Sequence, residues 1–343
     1  MDARKLGITA PHFLYKLQSD SFIRKTENRN FTDDKSITQW WYFDCMLDDG
    51  SLLVFLFTPY QWWSAHEKMP THKSLVYVSY LKPNGELFTA SETTNAADVL
   101  YMHNRIESSC FSLERAHEKG KRRYNVTFNM KDVQGTVKID SDADAFSPFP
   151  GGKLIPWAAK NILKLKSESP LFRYAAHVPH GNARCDLRLG GNAAKLNGRA
   201  YHEQGMFRGS PHEMVPCWSW FHFASKSFNV FGTPLEFFCL EKNGQKKIGG
   251  FTFLDEGCVL SDVQYHGEQK HLITGGALNF RSSQLSYSIT PSGSRTPMVV
   301  IPCFDSIQLW GTVAQQSTIR YTEKGETIEE TGWLLLETCQ MGR

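Results

Sequence analysis

Short runs of β-branched and aromatic residues, separated by turns rich in glycine, proline and asparagine, occupy most of the chain. The first strong run, 38–47, contains Trp40, Trp41, Tyr42 and Phe43. Side chains alternate along a strand, so Trp40 and Trp41 face opposite ways, one toward a barrel interior and one outward. Asp48-Asp49-Gly50 leads into a second run, 51–57, and its glycine supplies the positive φ of a hairpin turn. Further strands are predicted over 74–81, 86–90, 108–113, 122–130 and 135–139, with Lys82-Pro83-Asn84-Gly85 as a turn. Another pair, 182–189 and 194–197, flanks Gly190-Gly191-Asn192. A last series covers 235–240, 246–253, 258–265, 275–280, 284–289, 298–301, 305–313 and 327–337, with Asn243-Gly244 and Asp255-Glu256-Gly257 as hairpin loops. Turns this closely spaced imply antiparallel sheet, folded as a sandwich or a barrel. Helical spacing is confined to 11–18 and to 156–166, where Leu154, Trp157, Ile162 and Leu165 can share a face after the break at 147–152. The helical share is expected to stay below about a fifth, against the usual third.

At 343 residues the chain exceeds what one hydrophobic core serves, so two β domains are expected, 1–208 and 209–343. With 38 basic and 35 acidic side chains the charge nearly balances, and no basic block is long enough to track phosphates, which argues against nucleic acid as a partner. The apolar run around 52–57 is too short to span a bilayer. The opening 22 residues carry acids and no uninterrupted apolar core, so no secretory leader is read there. Eight cysteines lie singly, without a Cys-x-x-Cys pair, which suits reduced thiols in the cytoplasm better than a disulfide frame or a zinc cluster. The sequons at Asn30 and Asn125 then read as chance matches.

Candidate chemistry gathers in 198–223. A glycine turn at Gly198 opens it, Glu203 stands among Tyr201, His202, Met206 and Phe207, and an aromatic strand with Trp218, Trp220 and His222 closes it. Desolvation disfavours a carboxylate, so an acid in water-poor surroundings can stay protonated and act as a general acid. The structural alternative is that Glu203 caps a turn or pairs with Arg199 or Arg208. Trp218, Trp220 and His222 share one strand face and form either an aromatic wall that stabilises a carbocation or ordinary sheet packing. His177, His180, His202 and His212 lack the helical i, i+4 spacing of a metallohydrolase, and Pro179 argues against a regular element there, so no metal is assigned. There is no Gly-x-Ser-x-Gly elbow and no nucleotide-binding glycine loop.

Three blocks resemble one family. Gln39-Trp40-Trp41-Tyr42-Phe43-Asp44 is similar to the Glu-Trp-Trp-Tyr opening of the carotenoid 1,2-hydratase (hydroxyneurosporene synthase) superfamily of lipocalin-like proteins, which includes the fungal decalin-forming Diels-Alderases. Residues 198–203 resemble its Gly-x-Ala-Trp-x-Asp block and 332–338 its closing strand. Three positions depart from the pattern: Gln39 replaces the leading Glu, Glu203 replaces the Asp, and Gln204-Gly205-Met206-Phe207 replaces a His-Glu-Trp-Gly or His-Asn-Trp-Gly segment.

The resemblance implies an all-β chain of two tandem lipocalin-like antiparallel domains, with an apolar ligand pocket in or between them and no cofactor. It also implies chemistry on an isoprenoid or polyene substrate. Glu203 is the expected proton donor, Tyr201 and His202 its catalytic neighbours, and Trp40, Trp41, Tyr42, Trp218, Trp220, His222, Met206 and Phe207 the substrate wall. Hydration of a double bond and acid-assisted cyclisation are both open, beside a non-catalytic carrier of lipids or pigments. Weak association with a membrane surface and the oligomeric state stay open too.

Overall fold

The computed structural model describes residues 37–58, 73–118, 121–142, 172–208, 217–233, 237–242, 245–249, 278–281, 285–301 and 307–341. Its described strands fall into two compact units. The predicted helices at 11–18 and 156–166 and the predicted strand at 258–265 lie outside the described residues. Among the described residues, the helical content is one 3-10 turn, Ala96–Asp98.

The first unit is one antiparallel sheet. It contains β1 (Ile37–Leu47), β2 (Leu52–Thr58), β3 (Lys73–Leu81), β4 (Leu87–Asn95), β5 (Leu100–Tyr101), β6 (Arg105–Glu107), β7 (Phe111–Glu118), β8 (Lys121–Asn129), β9 (Val133–Ser141), β10 (Phe172–Leu189) and β11 (Asn192–Arg208), in the order β4-β3-β2-β1-β11-β10-β9-β8-β7-β6-β5. Turn chemistry sets the hairpins. Gly50, Gly85, Gly190 and Gly191 all adopt positive φ at the predicted turns. The long-range step is β1 against β11, with Leu47 opposite Gly198 and Tyr42 opposite Glu203.

The sheet curls, and its concave side is filled by a core that includes Trp41, Phe43, Phe55, Phe57, Phe111, Tyr124 and Phe128. Phe57 and Phe111 lie 4.5 Å apart between ring centroids, and Phe43 meets both Phe55 and Tyr124 edge-on. Cys45 and Cys185 touch inside this core. The hydrogen bond with Cys185 and burial push the Cys45 thiol up, so it is an unreactive packing residue.

Two expectations need correction here. Gly198 is not a turn residue but sits inside β11, where a Cβ would collide with the carbonyl of Met46, so glycine is needed for close strand approach. Pro179 does not prevent a regular element either. β10 runs through it, and two register shifts between Ala176 and Gly181 absorb the His177-Val178-Pro179-His180 stretch.

The second unit holds β12 (Cys217–Ala224), β13 (Phe228–Thr233), β14 (Phe237–Lys242), β15 (Gln245–Gly249), β16 (Leu278–Arg281), β17 (Leu285–Ile301), β18 (Ile307–Glu323) and β19 (Glu326–Met341), in the order β15-β14-β13-β12-β19-β18-β17-β16. Phe221, Phe223, Phe228, Tyr287, Tyr321 and Leu334 share its core. β17 is longer than predicted. Its 290–297 stretch reads as a break, yet Pro291 and Pro297 lie beyond the part of β17 that pairs with β16, and register shifts beside each accommodate them. The tight β18–β19 turn uses Lys324 and Gly325, both at positive φ, so 314–323 belongs to a strand that the sequence reading left out.

Glu330 ties the β12–β13 turn to β19 by accepting the Ser227 backbone N–H at 2.8 Å. Burial alone would push its carboxyl up, but hydrogen bonds from Ser225 and Ser227 and from the Lys226 backbone outweigh that and hold it below the ordinary glutamate value. A lowered folded value means that this stabilisation is full above the unfolded value of about 4.3 and disappears as pH falls through the folded one. Glu330→Gln is therefore expected to lower the urea midpoint near neutral pH, with the gap to the parent closing in acid. A gap unchanged between the two conditions would contradict it.

Candidate active site

Strand alternation separates the β1–β11 pair into two faces. On the concave face, Trp41 lies 5.3 Å from Phe57, and His202 stacks on Phe43 with centroids 3.8 Å apart and planes 2° from parallel. His202 Nδ1 lies 2.9 Å from the Tyr42 carbonyl oxygen. A carbonyl only accepts, so the hydrogen is on Nδ1. Tyr124 and His177 complete the surroundings, at 4.7 Å and 5.5 Å. His202 thus packs into the core and is not brought to Glu203.

The opposite face carries Trp40, Tyr42 and Asp44 of β1 against Gly205, Glu203 and Tyr201 of β11. Most of this face is buried as well, with Trp40 half-buried. β2 is buried along its whole length and β3 from Ser74 on, so Leu56 and Tyr77, next in register to Tyr42, are shielded like the core side. Glu203 is 6% exposed, Tyr42 and Asp44 2% each, and Tyr201 fully buried. The result is a water-poor surface with polar groups concentrated at one spot.

Both oxygens of Glu203 are engaged. The Trp40 indole N–H donates to Oε1 at 3.0 Å, and the Tyr201 hydroxyl donates to Oε2 at 2.6 Å. Tyr42 stands directly across from Glu203, its ring 6.4 Å from that of Tyr201 and edge-on to it. Asp44 faces Tyr201 across the strands, so the two carboxyls occupy one diagonal of a four-residue block and the two phenols the other. Such a block can donate a proton from an acid and present π faces to a positive charge that develops nearby.

Of the expected catalytic and binding residues, the structure joins Glu203, Tyr201, Trp40 and Tyr42. Trp41 belongs to the core. Trp220 and His222 lie in the second unit, both buried, with ring centroids 6.1 Å apart and His222 Nε2 at 2.5 Å from Asn229 Oδ1. Phe221 and Phe223 take the other face of the strand, in the core. The side chains of Trp218, Met206 and Phe207 lie outside the described residues.

Sequence reading passed over Asp44 and Gly205. Asp44 had a signal, an acid in an apolar strand two residues from Tyr42. The histidines have separate partners: His177 Nε2 meets Gln204 Oε1 at 3.2 Å, and His180 lies between Arg199 and Asp142. Among the described residues no group of three or more His, Cys, Asp or Glu is arranged to hold a metal ion.

No protein-family model matches the chain, and no curated protein matches it by sequence. Solved structures do. CghA, determined with Sch210972, superposes with a TM-score of 0.55 at 10% identity, over 90% of this chain and 89% of its own. Kievitone hydratase from Nectria haematococca gives 0.53 at 9%, over 89% and 90%. An AttH-type protein from Nitrosomonas europaea gives 0.50 at 12%, over 92% and 96%. Identity this low leaves the fold as the shared property: this chain has the lipocalin-like, all-β fold of CghA and of kievitone hydratase.

Proposed function

We propose that this chain is a cofactor-independent enzyme acting on an apolar isoprenoid or polyene substrate, by acid-assisted cyclisation or by hydration of a carbon–carbon double bond. The observation that carries this reading is the buried Glu203, gripped by Trp40 and Tyr201 on an aromatic, covered sheet face. The likeness of fold to a Diels-Alderase and a hydratase supports it. A hydrocarbon carrier gains nothing from a buried acid, whose desolvation cost the two hydrogen bonds to Glu203 offset only in part.

In the proposed reaction neutral Glu203 supplies the proton that reaches one alkene carbon, leaving a carboxylate and a carbocation. The faces of Tyr42 and Tyr201 stabilise that cation. In hydration, water adds to the cation and returns a proton to the carboxylate. In cyclisation, a second double bond of the same substrate attacks, and a neighbouring C–H returns the proton. Both routes restore the acid.

The test is to incubate the purified chain with a panel of linear isoprenoids and polyene-bearing polyketides and to analyse the products by mass spectrometry. A product heavier by one water marks hydration, and an isomer with a new retention time marks cyclisation. Tight binding of a panel member that is recovered unchanged would turn the assignment toward a carrier.

A further inference from the structure

Gly205 lies in the middle of β11, opposite Trp40, with no positive φ that would demand glycine. What demands it is space. A Cβ at Gly205 would collide with the face of the Trp40 indole, over Cζ2 and its neighbours Cη2 and Cε2. The indole therefore lies flat across the bare backbone of β11, and from there its N–H reaches diagonally to Glu203 Oε1 at 3.0 Å. Any larger residue at 205 lifts the ring off the strand and takes the donor away.

The two oxygens of Glu203 consequently have unequal roles. An indole nitrogen only donates, so Oε1 is held as an acceptor whatever the charge of the acid. A phenol both donates and accepts, so Oε2, 2.6 Å from the Tyr201 hydroxyl, is the oxygen that can carry a hydrogen. We infer that Gly205 and Trp40 are positioning residues that hold Oε1 and leave Oε2, on the Tyr201 side, as the only point from which Glu203 passes its proton. This rests on the acid role proposed above. When Oε2–H moves to the Tyr201 oxygen, the Tyr201 hydrogen moves on to the substrate carbon, so the tyrosine ends neutral and Glu203 ends as the carboxylate.

The experiment uses the full chain labelled with nitrogen-15 and follows the indole N–H resonances of its nine tryptophans. The Trp40 signal is the one lost in Trp40→Phe. It is expected to shift in Glu203→Gln and to move toward a water-exposed indole in Gly205→Ala, while the Trp41 signal from the core stays in place. Turnover in Trp40→Phe and in Gly205→Ala should fall by similar amounts, about 10- to 100-fold for one hydrogen bond to a charged group. In a Trp40→Ala background, adding Gly205→Ala should change turnover by less than about twofold, because the glycine acts only through the ring.

If Gly205→Ala does not fold, the double variant should fold again, since the clash has gone; failure of the double variant would overturn the inference. So would a Trp40 signal that is unmoved in Glu203→Gln. These spectra need no substrate, so they stand or fall separately from the proposed reaction.

Discussion

Glu203→Gln is expected to reduce turnover by about 100- to 10,000-fold, the usual share of a positioned general acid, while substrate binding stays close to that of the parent. Glutamine retains the size of the side chain, and its carbonyl can accept from Trp40 or Tyr201 in place of one carboxylate oxygen. What it lacks is a transferable proton. Binding can be followed by tryptophan fluorescence and turnover by product mass in the same preparation. A protonation-initiated hydratase or cyclase shows the full loss. A pericyclic cyclase needs mainly shape and a polarising hydrogen bond, so it shows a far smaller one. Undiminished turnover would remove Glu203 as the proton donor.

The largest effect on stability is expected at Phe43. Its ring is 3% exposed, stacks on His202, and meets Phe55 and Tyr124 edge-on. Truncation to alanine removes the transfer free energy of the ring and leaves a cavity that these rigid neighbours fill poorly, a loss of about 3–5 kcal/mol. It also strips the apolar face from a buried imidazole. Urea unfolding of Phe43→Ala, followed by fluorescence and by far-UV circular dichroism, measures the loss. A cost below about 1 kcal/mol would mean that the concave side of the sheet is not the close-packed core described above.

A comparison of β1 and β11 shows what was readable in the residues. Alternation in Trp40-Trp41-Tyr42-Phe43 is a property of extended backbone, so opposite facing of the two tryptophans follows from local geometry. The hairpin at Asp48-Asp49-Gly50 follows from the positive φ that Gly50 adopts cheaply. The antiparallel, all-β class follows from many such local choices. The same alternation also puts His202 and Glu203 on opposite faces of β11.

Tertiary structure decided the rest. Trp40 and Glu203 stand 163 positions apart, and only the β1–β11 register sets them diagonally across from each other. Strand pairing at that distance depends on the β1–β4 and β5–β11 meanders coming together, and no local pattern encodes it. Gly198 looks like a turn glycine in the sequence, and Gly205 gives no signal at all, because glycine has two uses, positive φ and close approach. The choice between them lies in what sits opposite: the Met46 carbonyl for one, the Trp40 indole for the other. Burial of the Glu203 face is likewise invisible in an alternating strand, because alternation fixes which residues share a face and says nothing about what covers it.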